Sequence, residues 1–89
     1  MKQMLFSVRD TVASQYLPPF PAPVRGVAIR LFGDAIKDAN GPISKHPGDY
    51  ELVFLGFFDD ESGAFEEAPT EVLSRGQDFV EGAQLRAVS

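Results

Sequence analysis

Residues 50–58, YELVFLGFF, are apolar at both parities of an extended chain. Tyr50, Leu52, Phe54, Gly56 and Phe58 fall on one side, Val53, Leu55 and Phe57 on the other, and only Glu51 is polar. A strand apolar on both faces belongs in the middle of a sheet and needs cover on both sides, because exposed apolar surface costs roughly 25 cal/mol per Å². A chain of 89 residues has material for one core and one domain, residues 1–89. The remaining segments must therefore be arranged around this strand.

Met4, Phe6 and Val8 alternate with Leu5, Ser7 and Arg9, the period of a half-buried first strand. A proline-rich arm follows at residues 14–23. Pro18, Pro19, Pro21 and Pro23 lack backbone donors, which predicts an extended, ladder-free segment anchored by Tyr16, Leu17 and Phe20. From Val24 the period changes. Val24, Val27, Ala28, Leu31, Ala35 and Ile36 recur at three- and four-residue spacing, predicting a helix over about 24–39 with that stripe facing the sheet. Arg30 and Asp34 are placed to pair on its wet side, and Asn40, Gly41 and Pro42 to end it through left-handed backbone. A hairpin is predicted over about 50–68, turning at DDESG and returning through Phe65, and residues 80–89 read as a frayed tail. The fold expected is α+β, a small antiparallel sheet of three to four strands with one helix packed on one face and a proline-rich arm.

Chemistry is sparse. There is no cysteine, hence no disulfide or thiolate. His46, the single histidine, sits in the turn SKHPGD, where sequence neighbours such as Ser44 and Lys45 rarely face one another, so a loop role is the simpler reading. Asp59, Asp60, Glu61, Glu66 and Glu67 do not follow calcium-loop spacing and read as solvated hairpin residues. No glycine-rich phosphate loop is present. No metal, cofactor or catalytic residue is expected, and the chain reads as a binding protein rather than an enzyme. It also lacks the apolar runs of a secretory signal or membrane span, which makes the cytoplasm the expected compartment.

Charge points to where a partner would bind. The net charge is −5, but it is uneven: residues 1–50 balance to +2 and residues 51–89 to −7. The first half carries Arg9, Arg25, Arg30, Lys37, Lys45 and His46 with Tyr16 and Phe20 interleaved, a pattern that can hold single-stranded nucleic acid through phosphate contacts and base stacking. Helix charges are more often a wet face, and aromatics near apolar runs more often core. A second surface is expected on the sheet. One helix covers one side, so Val53, Leu55 and Phe57, with Leu17 and Phe20 of the arm, are candidate interface residues for a homo-oligomer. Pro18 and Pro21 also satisfy a bare P-x-x-P, and the alternative is a protein-interaction adaptor that acts through the proline arm or the sheet face and never touches DNA.

The blocks YLPPFPAP, RGVAIRLFGDAIKD, KHPGDYEL and LGFFDDESGAF, in order from about Ser7 to Phe65, resemble the small nonstructural protein of gokushovirus-type microviruses, phages with single-stranded DNA genomes. The resemblance implies a DNA-binding accessory of genome single-strand synthesis or packaging. It would act in the host cell cytoplasm, with single-stranded DNA and viral or host replication proteins as partners. It assigns no individual contact residue.

Overall fold

In β1 (Lys2–Asp10) alternation turns Met4, Phe6 and Val8 inward, and Phe6 is fully buried. The computed structural model describes residues 1–80 and is α+β. One helix, α1 (Arg25–Lys37), packs on an antiparallel sheet of β1, β2 (Gln15–Tyr16), β3 (Phe20–Ala22), β4 (Tyr50–Asp59) and β5 (Phe65–Arg75). The order is β2-β1-β4-β5, with β3 also on β1. The strand apolar at both parities, β4, is central as expected. It pairs with β1 along its whole length and with β5 on its other side. The expected frayed tail at 80–89 falls, beyond Val80, outside the described residues.

The proline arm is not ladder-free. β2 and β3 form one interrupted strand along the free edge of β1, pairing Tyr16 with Arg9 and Phe20 with Phe6. The Leu17 N–H donates to the Val8 carbonyl at 2.8 Å, and the Ser7 hydroxyl donates to the Leu17 carbonyl at 2.7 Å. An edge strand needs only alternate N–H groups for its single neighbour, so prolines are tolerated there. Between β2 and β3 the register slips by one residue, and the two aromatics consequently part. Tyr16 shares the face of Arg9, away from the helix, whereas Phe20 enters the core 6.1 Å from the Phe6 ring.

A second slip reverses the far half of β4. Leu5 stands opposite Gly56 and Phe6 opposite Phe54, leaving Leu55 without a partner on β1. Gly56 has φ +154, and a Cβ there would collide with the Glu66 carbonyl, so the bulge requires glycine. Phe57 therefore lies on the helix side, opposite Met4 and 5.4 Å from the Phe54 ring, and not on the far side as strict alternation predicts. Val53 is on the far side but fully buried, beside the equally buried Ser7. Val53, Leu55 and Phe57 thus do not form the open apolar row expected of them.

The helix faces the sheet through part of the expected stripe. Ala28 and Ile36 are buried and Val27 packs against the core, but Phe32 and Gly33 complete the inward side, whereas Val24 and Leu31 are 55% and 48% exposed. The ring of Phe79 lies edge-on to Phe32 at 5.8 Å and directly against Gly33, where a Cβ would meet it at 2.7 Å. A large aromatic at the centre of an i, i+4, i+8 row buries more area than Leu31, and that decides the facing. The helix ends at Lys37, and neither Asn40 nor Gly41 adopts positive φ.

Closure comes from the chain's turns. The Thr11 N–H and hydroxyl both donate to the Asp49 carbonyl, tying the β1–β2 turn to the loop before β4. Gly76 begins a short 3-10 turn, Gly76–Phe79, where any side chain would strike the Pro47 carbonyl. The core assignment predicts that Phe32→Ala costs about 3–5 kcal/mol in urea melts and Leu31→Ala less than about 1 kcal/mol. Equal losses at the two positions would contradict the observed facing.

Candidate nucleic-acid interface

Because Val8 and Leu52 point inward, their neighbours Arg9 and Glu51 point away from the helix. Cross-strand pairing then lines up one residue from each of four strands, Tyr16, Arg9, Glu51 and Arg75. Glu51 is 8% exposed and accepts from Arg9 Nη1 at 3.3 Å, while Arg75 Nε lies 3.9 Å from its other oxygen. Two guanidinium groups share one carboxylate, and one positive charge stays uncompensated. Glu51 hydrogen-bonds Arg9, whereas the exposed Arg75 side chain lies within ion-pair distance only. The Tyr16 ring, 50% exposed, stands at the end of the row. An open aromatic face beside oriented guanidinium groups can stack a base and pair its phosphates.

The cationic and aromatic residues singled out from the sequence divide among several places. Arg9 and Tyr16 come together in this row. Arg25 is occupied elsewhere, 3.2 Å from Glu71 and 4.7 Å above the Phe54 ring centroid. Arg30 and Lys37 lie exposed on one ridge of the helix, and among the described residues Arg30 has no ion-pair partner, Asp34 included. Lys45 and His46 are exposed in the loop before the 3-10 turn Pro47–Asp49. Phe20 is partly buried and packs against Phe6 in the core. Of the interface residues, Leu17 stays at the rim of exposure and Leu55 is half-buried.

Arg75 was not anticipated. It lies in the acidic half, and nothing in the pattern of AFEEAPTEVLSR signals that the return strand runs on to it past Pro69. The Asp78 carboxylate, which accepts from the Arg75 N–H at 3.0 Å, marks where the strand ends.

The opposite end of the sheet is acidic. Seven residue steps along β1 separate Arg9 from Lys2, on the order of 25 Å. There Asp59, Asp60 and Glu61 surround the Met1 ammonium, and Lys2 pairs with Glu66 at 2.7 Å. Asp59 accepts N–H bonds from Glu61 and then Ser62, which hold its carboxyl below the usual range. Its contribution is present above the unfolded-state pKa and is lost as pH falls through the lowered value. Among the described residues no three His, Cys, Asp or Glu side chains come together to hold a metal ion, and no helix is long and apolar enough to cross a membrane.

A double-mutant cycle on Arg9→Met and Glu51→Gln should give a coupling of about 0.5–1 kcal/mol in denaturant melts, diminished in molar salt. A coupling indistinguishable from zero would mean that Glu51 does not orient Arg9.

No curated protein and no solved structure matches the chain. The family model described as phage ORF5 protein matches residues 3–79, which span every strand, the helix and all four residues of the row. The chain belongs to the phage ORF5 protein family.

Proposed function

We propose that this phage protein binds single-stranded DNA across the sheet face opposite the helix, as the nonstructural accessory protein of a gokushovirus-type microvirus. In that role it supports genome single-strand synthesis or packaging in the host cytoplasm. The observation that carries the reading is the cross-strand row, in which the half-exposed Tyr16 stands opposite Arg9, and Arg9 and Arg75 flank a buried Glu51. Single strands present bases that can stack and a backbone that bends to bring phosphate to a cation, whereas a duplex hides its base faces. A net charge of −5 opposes association away from the row. Binding is therefore weak per subunit and salt-dependent.

Each neutralised phosphate contributes about −0.7 to the slope of log affinity against log salt for a single strand, so the one charge that Glu51 leaves uncompensated predicts a slope near −0.7. Arg75→Ala should flatten it by about 0.7. Tyr16→Ala should lower affinity by about 1–3 kcal/mol with the slope unchanged. Fluorescence anisotropy with labelled oligothymidylate and duplex DNA reads these quantities. Loss of binding on joint neutralisation of Arg30 and Lys37, with Arg75→Ala silent, would move the site to the helix. Absence of binding at low salt would favour the adaptor.

A further inference from the structure

The outer side of α1 carries an apolar row that the core does not use. At 3.6 residues per turn Val24, Leu31 and Ala35 fall within about 40° of one another around the helix axis. All three are exposed. Arg30 and Asp34 flank this row, both on the same side of Leu31. They are exposed too, and among the described residues neither makes an ion pair. An arginine four residues before an aspartate is the weaker order for pairing within one helix, which leaves both charges available to a neighbour.

This face is complementary to itself. A two-fold axis beside Leu31 that sets a second α1 antiparallel brings Arg30 of one copy and Asp34 of the other to levels about 3 Å apart along the helices, within the reach of an arginine side chain. The whole molecule is polar in the same sense. α1 starts just after Ala22, which pairs with Met4 near the acidic hairpin, and Ile36 of its last turn packs over Gly76, next to Arg75. Antiparallel helices therefore set the acidic end of each copy beside the cationic end of the other, which offsets the repulsion between two chains of net charge −5.

We infer that α1 is the contact surface of a two-fold symmetric dimer, packed antiparallel on α1 of a second copy with Leu31 at the axis and Arg30 paired with the partner's Asp34. Self-association, expected from the sequence at the sheet, thus moves to the helix. One face of a 13-residue helix is a small interface, so the dimer is weak, with a Kd on the order of 100 µM, and dilute protein is monomeric. The sheet faces carrying the Tyr16–Arg75 rows point away from the contact, and the dimer stands whether or not DNA binds there.

Sedimentation equilibrium of the whole protein without DNA, from about 10 µM to about 1 mM, tests this. The mass should climb from monomer towards dimer with concentration, and less steeply in molar salt. Arg30→Asp and Asp34→Arg, both at exposed positions, should each weaken association about tenfold or more, because each sets like charges against one another twice in the dimer. Mixed in equal amounts, the two variants should associate as tightly as the unaltered protein, since one then supplies both carboxylates and the other both guanidinium groups. Leu31→Ala should weaken the dimer without unfolding the monomer. A monomeric mass at 1 mM, a dimer indifferent to Arg30→Asp, or single variants that fail to associate when mixed would each overturn the inference.

Discussion

At Gly56 the central strand turns over, and both faces of the sheet depend on it. Without the bulge, alternation would put Phe54 and Phe57 on opposite sides and expose one ring to water. With it, the two rings stack edge to face at 5.4 Å on the helix side, next to Phe6 and Leu52, and give the row Ala28, Phe32 and Ile36 a surface broad enough to bury against. Glycine is required because the backbone there is at positive φ and pressed against the Glu66 carbonyl. A single helix can cover only one face. The bulge decides which residues lie under it and which are left for the other side.

The smaller slip in the arm does for Tyr16 and Phe20 what the Gly56 bulge does for Phe57. It sends Phe20 to the core and leaves Tyr16 on the far face beside Arg9. The arm's slip leaves Tyr16 in the cationic row while Phe20 enters the core, and the Gly56 bulge, in the other half of β4, brings Phe57 to the helix side. Glu51 links packing to electrostatics: nearly out of solvent, it hydrogen-bonds Arg9 and lies within ion-pair distance of Arg75. The acidic hairpin at the other end of β1 confines attraction for phosphate to one end of the molecule.

Much of this is legible in the residues. Alternation shows β1, the doubly apolar run shows a central β4, and a three-to-four period shows the helix. Facing is less legible. Counting parity through Leu55 and Gly56 fails because the extra residue leaves no local mark except glycine, which has many other uses. In the helix the expected stripe is right at Val27, Ala28 and Ile36 but wrong at Val24, Leu31 and Ala35, and only the position of Phe79 and the sheet shows that Phe32 takes the inward place. Arg9 and Tyr16 stand out in the sequence as candidates, but the row does not, since it needs Arg75 from a strand whose length the sequence does not announce. Arg25 shows the reverse: a cation that looks free in sequence is held by Glu71 and the Phe54 ring.

The central claim is that the sheet face away from the helix, and not the basic ridge of the helix, meets single-stranded DNA. Backbone amide shifts of the labelled protein, titrated with oligothymidylate at low salt, test it most directly. The account predicts the largest changes at Tyr16, Arg9, Glu51 and Arg75 and at their far-face neighbours Ser7, Val53 and Val72, with Arg30 and Lys37 unmoved. Changes confined to Arg30, Lys37, Lys45 and His46, with the sheet silent, would contradict it.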